Sequence, residues 1–229
     1  MRTRSFLFDI TALPILVACI SIITASSCNR YRSATVKEQE TRSEFKDGDI
    51  IFQTSLSGQS KAIQEATNSD YSHCGIIYFE KGRPMVFEAI EPVTSTPLAD
   101  WIARGKDRLY VVKRLKNADK ILTPSVLAVM RSRAMKYKGK RYDKTFEWND
   151  DRMYCSELVW KIYYDATGLQ VGKLERLKDF DLTGAEVRKI MRSRYPDGVP
   201  YEEQVISPAS IFSSNLLEEI GQEDISAIP

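Results

Sequence analysis

The chain has 229 residues, of which 43% are apolar and 28% charged, an ordinary composition for a globular protein with one hydrophobic core. Its 33 basic and 31 acidic residues are spread along the chain and give a net charge of +2, so we expect no nucleic-acid partner. Four cysteines without C-x-x-C spacing and a single histidine supply neither a zinc site nor a disulfide framework. We therefore expect no metal and no cofactor.

The first 28 residues have the pattern of an export signal. Two arginines precede an apolar run over residues 13–23, which is shorter than the ~20 residues of a membrane span. Ala25–Cys28 resembles a bacterial lipobox, in which the cysteine is lipidated, although Ala25 stands where leucine is usual. Cys19 fits the four-residue pattern better, but cleavage there leaves an apolar run on the mature end. We favour a signal peptide over 1–28 with lipidation at Cys28; an uncleaved signal anchor is the alternative.

The sequence after Cys28 divides into three further parts. Residues 29–43 are polar with almost no apolar side chains, which indicates a flexible tether. Residues 44–219 form the predicted folded domain, and 220–229 a C-terminal tail. A tethered domain behind a lipidated cysteine predicts an exported lipoprotein held at a membrane of the bacterial cell envelope.

The folded domain opens with alternating strand and helix patterns. An apolar strand over 50–53 is followed by a helix over 60–66, and two strands over 73–79 and 84–89 flank the turn 80–83. These two strands predict a β-hairpin.

The register of this hairpin decides which side chains meet. If Phe79 pairs with Pro84, Glu88 shares a face with His73 one diagonal step away, roughly 7 to 8 Å between the positions. A carboxylate of that length reaches the imidazole. In the same register Cys74 points to the opposite face and is excluded as the partner of His73, whereas a bulged turn would turn Glu88 away.

Further elements follow in the second half of the chain. The pattern predicts a helix over 97–104, a strand over 109–112 and a helix from Thr123 to about 137 with a capping hydroxyl before Pro124. Apolar residues recur at helical spacing from Cys155 and end at Gly168. Thr183 and Glu186 have the spacing of a capping box for a helix to about 194.

Cys155 has the position of a thiol nucleophile. The unsatisfied amides and the dipole of a helix N-terminus stabilise a thiolate and lower its pKa, and the backbone N–H of Cys155 is placed to bind an oxyanion. His73 is the only histidine and hence the only conventional base, and Glu88 would orient its imidazole. The alternatives are a buried cysteine acting as a small hydrophobic residue, a structural histidine and a solvated Glu88.

Two neighbours of Cys155 carry polar groups. Tyr154 is a candidate for substrate binding, because it either lines the site or donates a hydrogen bond. Glu157 is interpreted as a first-turn carboxylate that interacts with the helix dipole.

Five motifs in order resemble those of the YiiX/YebB-type permuted papain-like hydrolases, which are relatives of the NlpC/P60 superfamily. These motifs are 47–50 (DGDI), 72–76 (SHCGI), 86–89 (VFEA), 137–143 (Y-x-G-x-x-YD) and 154–159 (YCSELV). The resemblance covers about residues 44–217 and implies an α+β fold with a circularly permuted papain-like order, in which an antiparallel sheet packs against the cysteine helix. It also implies a catalytic Cys155, His73 and Glu88. The charged segment 173–201 matches nothing in the resemblance and is a candidate for shaping substrate access.

The expected function is therefore an exported cysteine hydrolase that cleaves amide bonds through an acyl-enzyme. The resemblance implies cell-wall (murein) peptides or other peptides as substrates. A lipid acyl hydrolase or acyltransferase using the same triad is one alternative. A non-catalytic binding lipoprotein is the other.

Overall fold

The computed structural model describes residues 45–223. The predicted signal peptide, Cys28 and the tether lie outside the described residues, as does the end of the predicted tail. The main strands are β1 (Ile50–Gln53), β2 (His73–Glu80), β3 (Arg83–Glu88), β4 (Thr94–Pro97), β5 (Tyr110–Leu115) and β10 (Leu217–Glu223), and the short ones are β6 (Arg141–Tyr142), β7 (Arg152–Met153), β8 (Glu175–Arg176) and β9 (Gln204–Val205). The helices are α1 (Ser60–Thr67), α2 (Leu98–Ala103), α3 (Ala118–Ile121), α4 (Pro124–Tyr137), α5 (Cys155–Thr167), α6 (Ala185–Arg194) and α7 (Pro208–Phe212).

Six strands form one antiparallel sheet in the order β10-β5-β1-β2-β3-β4. The predicted hairpin register is confirmed, because Phe79 pairs with Pro84 across the turn between β2 and β3. The last strand extends to Glu223, into the segment that the sequence predicts as a tail. The expected mixture of an antiparallel sheet with helices is confirmed.

The sheet is buried on both faces. Alternation along β1 and β2 sends Ile50, Phe52 and Ile76 to one face, where they join the apolar side of α5 in the larger core. Ile51 and Ile77 point to the other face and pack against α2. The position of α5 on the sheet brings its first residue, Cys155, beside the start of β2.

The ends of the helices test the capping predictions. Gly168 ends α5 in the left-handed conformation, at φ 71°, as the sequence predicts. Thr123 caps α4, since its hydroxyl accepts a hydrogen bond from the amide of Val126. The capping box predicted at Thr183 is wrong: the hydroxyl of Thr183 donates to Asp181, and the helix begins after Gly184 without a side-chain cap of its own.

The segment between α5 and α7 folds over α1. β8 pairs with β9, and the amide of Asp181 donates to the carbonyl of Ala66 at the end of α1. The carboxylate of Glu65 in α1 accepts the amide of Glu186 and so replaces the missing cap of α6. None of the helices between residues 45 and 223 has the length and apolar character that a membrane span requires.

Candidate active site

Cys155 is the first residue of α5 and only 3% exposed. Its side chain lies in the larger core cluster, against the face of the sheet that carries Cys74 and Ile76. At this position the amides of the first helical turn have no partner within the helix, and the helix dipole favours a negative charge. The local geometry is therefore the one that the sequence predicts for a nucleophilic thiol.

His73 and Glu88 are joined across the hairpin. Nε2 of His73 and Oε2 of Glu88 are 2.6 Å apart, so the carboxylate reaches the imidazole as the register predicts. The imidazole also stacks on the indole of Trp101, with ring centroids 5.8 Å apart and an interplanar angle of 24°. Because Nε2 is bound to the carboxylate, Nδ1 is the ring nitrogen left for the thiol of Cys155.

Glu88 is completely buried and has three donors besides His73. Thr96 Oγ1 donates to Oε1 at 2.6 Å, Trp101 Nε1 donates to Oε2 at 3.0 Å, and Arg104 donates to Oε1 at 2.5 Å. Burial alone would raise the pKa of this carboxyl, but the hydrogen bonds and positive charges around it outweigh burial and lower the pKa. Glu88 therefore stays ionised and holds the imidazole in place.

The electrostatics favour a thiolate–imidazolium pair. Burial acts to lower the pKa of His73, yet hydrogen bonds to Cys155 and Glu88 raise it from 6.5 to about 9. The hydrogen bond from the Cys74 thiol and the contact with His73 lower the pKa of Cys155 well below its ordinary value, against the effect of burial. A charged pair at neutral pH is what a thiol nucleophile requires.

Cys74 is a neighbour of Cys155 that the sequence did not indicate. It lies on the face opposite to the one that carries Trp101, as the strand alternation predicts, and that face is the one that α5 covers. Both its thiol and its backbone amide hydrogen-bond to the sulfur of Cys155. The pKa of Cys74 itself is raised by burial and by Cys155, so Cys74 serves as a donor and Cys155 as the thiolate.

A pocket opens beside Cys155. It has about 710 Å³ of empty space, a volume that includes the open solvent at its mouth. Its walls come from α1, the first residues of α5 and the segment 177–208, and they are almost entirely apolar. The apolar residues that line it include Ala62, Ile63, Ala66, Leu177, Phe180, Leu182, Val187, Ile190 and Met191.

Tyr154 and Glu157 flank the nucleophile as predicted but have different surroundings. Tyr154 lines the pocket and its hydroxyl accepts the amide of Ile206 at 3.1 Å, so the ring is fixed in the wall. Glu157 is fully buried and its carboxylate lies 2.8 Å from Lys161. Burial raises the pKa of Glu157 to about 8, and its carboxylate accepts the backbone amide of Tyr154 at 3.4 Å in the first turn of the helix.

Comparison with known proteins identifies the family. Residues 44–221 match the model of the permuted papain-like amidase enzymes, the YaeF/YiiX or C92 family. The chain belongs to this family. The resemblance to permuted papain-like hydrolases that the sequence motifs indicate is thereby confirmed, and with it the broad expectation of a papain-like amidase.

YiiX of Escherichia coli is among the proteins to which the chain is similar. The uncharacterized protein YiiX of strain K12 is 46% identical over 176 residues, which are 77% of this chain and 86% of YiiX. A crystal structure of the metalloprotein yiiX from Escherichia coli O157:H7 matches with a TM-score of 0.74 at 46% identity. It covers 78% of this chain and 97% of that one.

The description of that crystal structure as a metalloprotein raises the question of a metal site here. Within residues 45–223, no three His, Cys, Asp or Glu side chains gather closely enough to hold a metal ion. His73 is bound through Nε2 to Glu88 and also contacts Cys155. The donor set of this site therefore does not fit a bound metal.

Four further residues at the site were not predicted from the sequence. Thr96, Trp101 and Arg104 bind Glu88, but their sequence pattern indicated only a strand end and a helix. Arg194 lines the pocket although it belongs to a segment that no motif covers. The sequence feature that could have indicated these contacts is Arg104, a charged residue at the end of an otherwise apolar helix. The sequence alone does not indicate which carboxylate Arg104 binds.

Proposed function

We propose that the chain is a cysteine amidase in which Cys155 is the nucleophile, His73 the acid and base, and Glu88 the residue that positions His73. The observation that carries this proposal is the buried hydrogen bond between His73 and Glu88, next to a thiol at the first residue of a helix. Membership in the permuted papain-like amidase family supports the amide as the bond that is cleaved. A placement within the NlpC/P60 superfamily is part of the proposal.

The reaction proceeds in two steps. The thiolate of Cys155 attacks the amide carbon, and the oxyanion that forms is stabilised by the backbone N–H of Cys155. His73 gives its proton to the leaving nitrogen as the C–N bond breaks, which leaves a thioester. His73 then takes a proton from water, the hydroxyl adds to the thioester carbon, and breakage of the C–S bond releases the acid.

The composition of the pocket wall indicates the class of substrate. An almost entirely apolar pocket beside the nucleophile binds an apolar group more strongly than a polar one. Peptide amides with an apolar side chain, including those of cell-wall peptides, are the first substrate class. A lipid acyl hydrolase or acyltransferase acting through the same three residues is the second, and the apolar lining is the specific observation that favours it.

Export and membrane anchoring belong to the same proposal. Lipidation at Cys28 would hold the domain at a membrane of the bacterial cell envelope, where both cell-wall peptides and lipids are present. The support is the sequence pattern of residues 1–43 alone.

Labelling with a thiol-directed probe tests the nucleophile. An uncharged haloacetamide is expected to modify Cys155 in the wild type at neutral pH, faster than Cys74, because only Cys155 is a thiolate there. Cys155→Ala should lose the fast labelling and all hydrolysis, whereas Cys74→Ser, whose hydroxyl replaces the thiol beside Cys155, should still be labelled at Cys155. Equal labelling of wild type and Cys155→Ala would overturn the assignment.

Substrate assays separate the candidate functions. Release of amine from apolar peptide amides, with no release of fatty acid from phospholipid vesicles, supports the amidase, and the reverse supports the lipid hydrolase. If Cys155→Ala and His73→Ala variants retain the biological function, a binding lipoprotein explains the protein better than either enzyme.

A further inference from the structure

Arg194 is the one arginine among the described residues that line the apolar pocket. It is the last residue of α6 and faces the pocket together with Ile190 and Met191. Other polar groups of the lining are bound to the protein: the hydroxyl of Ser156 donates to the carbonyl of Ile206, and that of Ser207 accepts the amide of Ser210. A cation in such a wall requires an explanation, because burial of an uncompensated charge is unfavourable.

Two contacts hold the guanidinium in place. Its Nη2 donates to Oε1 of Gln59 at 2.6 Å, and Nε2 of Gln59 donates in turn to the hydroxyl of Tyr142 at 2.6 Å. The guanidinium carbon lies 5.3 Å from the centre of the Phe146 ring. This chain of contacts holds the guanidinium in the wall of the pocket, with almost no polar surface turned to the pocket.

The contacts leave part of the guanidinium without a partner. Nη1 is shielded from water and has no hydrogen-bond partner among the described residues. The carboxylate whose charge acts on Arg194 is that of Asp143, but both of its oxygens are occupied. Oδ1 accepts from Thr145 and Oδ2 accepts the amide of Glu147. Between residues 45 and 223, the positive charge therefore has no carboxylate bound to it.

We propose that Arg194 binds an anionic group of the substrate, so that the enzyme prefers substrates that combine an apolar segment with a negative charge. A small rotation of the guanidinium on its flexible stem opens Nη1 to the pocket and allows two parallel hydrogen bonds to a carboxylate. The ion pair forms where the apolar walls exclude water, which strengthens it. This inference rests on the proposed function, since it assigns a specificity residue to the same site.

Alkylation of Cys155 by matched probes tests the proposal. The probes are bromoacetamides carrying a short or a long chain of methylene groups that ends in a carboxylate, each compared with its neutral methyl ester. In the wild type, the carboxylate of at least one length is expected to react about ten to a hundred times faster than its ester, the effect of a buried hydrogen bond to a charged group. The preference should persist at high salt, because a buried pair is screened little.

Variants assign the preference to Arg194. R194Q should lose the preference for the carboxylate probe over its ester. R194K keeps the positive charge without the planar guanidinium and should keep part of that preference. R192Q is the matched control, because Arg192 is exposed on the same helix and is absent from the pocket wall. It should behave as the wild type. Any preference due to the imidazolium of His73 would survive in R194Q and is thereby distinguished.

Two results would overturn the proposal: equal reaction of carboxylate and ester with the wild type, or an unchanged preference in R194Q. If R194Q does not fold, the wild-type ratio and that of R194K still decide. Failure of the proposed function looks different, because the methyl esters would then not label Cys155 in any variant.

Discussion

At the scale of single residues, the sulfur of Cys155 is stabilised from two sides. The imidazolium of His73 supplies a charge, and the thiol and amide of Cys74 supply hydrogen bonds. Neither partner is on the helix that carries the nucleophile, since both come from the first two residues of β2. A short piece of one strand therefore sets the reactivity of the site.

The pH dependence of kcat/KM follows from these shifts. The reactive form is the thiolate–imidazolium pair, which exists above the lowered pKa of Cys155 and below the raised pKa of His73. We expect activity to be high at neutral pH, to fall as pH drops through the pKa of Cys155, and to fall again as pH rises through about 9. The measurement is kcat/KM for an amide substrate against pH, which reports the free enzyme.

The variant Glu88→Gln tests whether the fall of kcat/KM at high pH is due to His73. Loss of the negative charge removes one of the contacts that raise the pKa of His73, so the alkaline fall should move to lower pH. An alkaline limb at the same pH in wild type and variant would contradict the assignment of that limb to His73.

At the scale of elements, the β2–β3 hairpin fixes the distance between His73 and Glu88. Gly75 permits this close approach, because a Cβ there would lie 2.5 Å from Val86 Cγ1 and 2.9 Å from the carbonyl oxygen of Phe87. The methyl group of Gly75→Ala would push the strands apart where Glu88 reaches the imidazole. We expect this variant to lose about 1–3 kcal/mol of unfolding free energy and most of its amidase activity.

Chemical denaturation and amide hydrolysis measure the two effects of Gly75→Ala. Gly58→Ala is the control, because Gly58 is exposed and a Cβ there meets nothing within 4 Å. It should change stability by no more than about 0.5 kcal/mol. Wild-type activity in Gly75→Ala would show that the spacing of the hairpin tolerates more than the site geometry suggests.

The elements also show what local sequence determines. The hairpin register was predictable, because the turn 80–83 joins the two strands so that Phe79 pairs with Pro84. The cap of α6 was not predictable from the sequence, because the carboxylate of Glu65, which lies on a different helix and far away in the chain, accepts the amide of Glu186. The same reason hid the contact of Arg104 with Glu88, which depends on how α2 packs on the sheet.

At the scale of the whole molecule, the described domain combines a sheet and the helix α5, which carry His73, Glu88 and Cys155, with a separate layer that forms much of the pocket wall. The layer consists of α1 and the segment 173–205, which contact each other through Asp181 and Glu186. Its charged sequence gave no motif, because its function lies in a few apolar side chains on one side of an otherwise solvated surface. The antiparallel sheet with helices, and the pairing of His73 with Glu88 across the hairpin, could be predicted from the sequence, whereas the pocket depends on tertiary contacts.

Ala66 lies at the border between this pocket and a second cleft, which is lined by Lys173 and Ser210 among others. We expect this border to limit the length of the group that the pocket holds. A larger side chain at this position would close the pocket at a distance from Cys155 and leave the reactive residues untouched. Ala66→Phe is therefore expected to reduce the hydrolysis of substrates with long apolar groups and to spare short ones.

Aryl esters of short and long fatty acids measure this effect. Each CH₂ kept in water costs about 0.8 kcal/mol, so exclusion of two CH₂ groups lowers kcat/KM about tenfold. Ala128→Phe is the control, because Ala128 is exposed on α4 and outside the pocket lining. If Ala66→Phe slows short and long esters equally, the substitution disturbs the reactive residues and the pocket does not determine chain length. A selective loss for the long ester, absent from Ala128→Phe, would establish the pocket as the site of the apolar group.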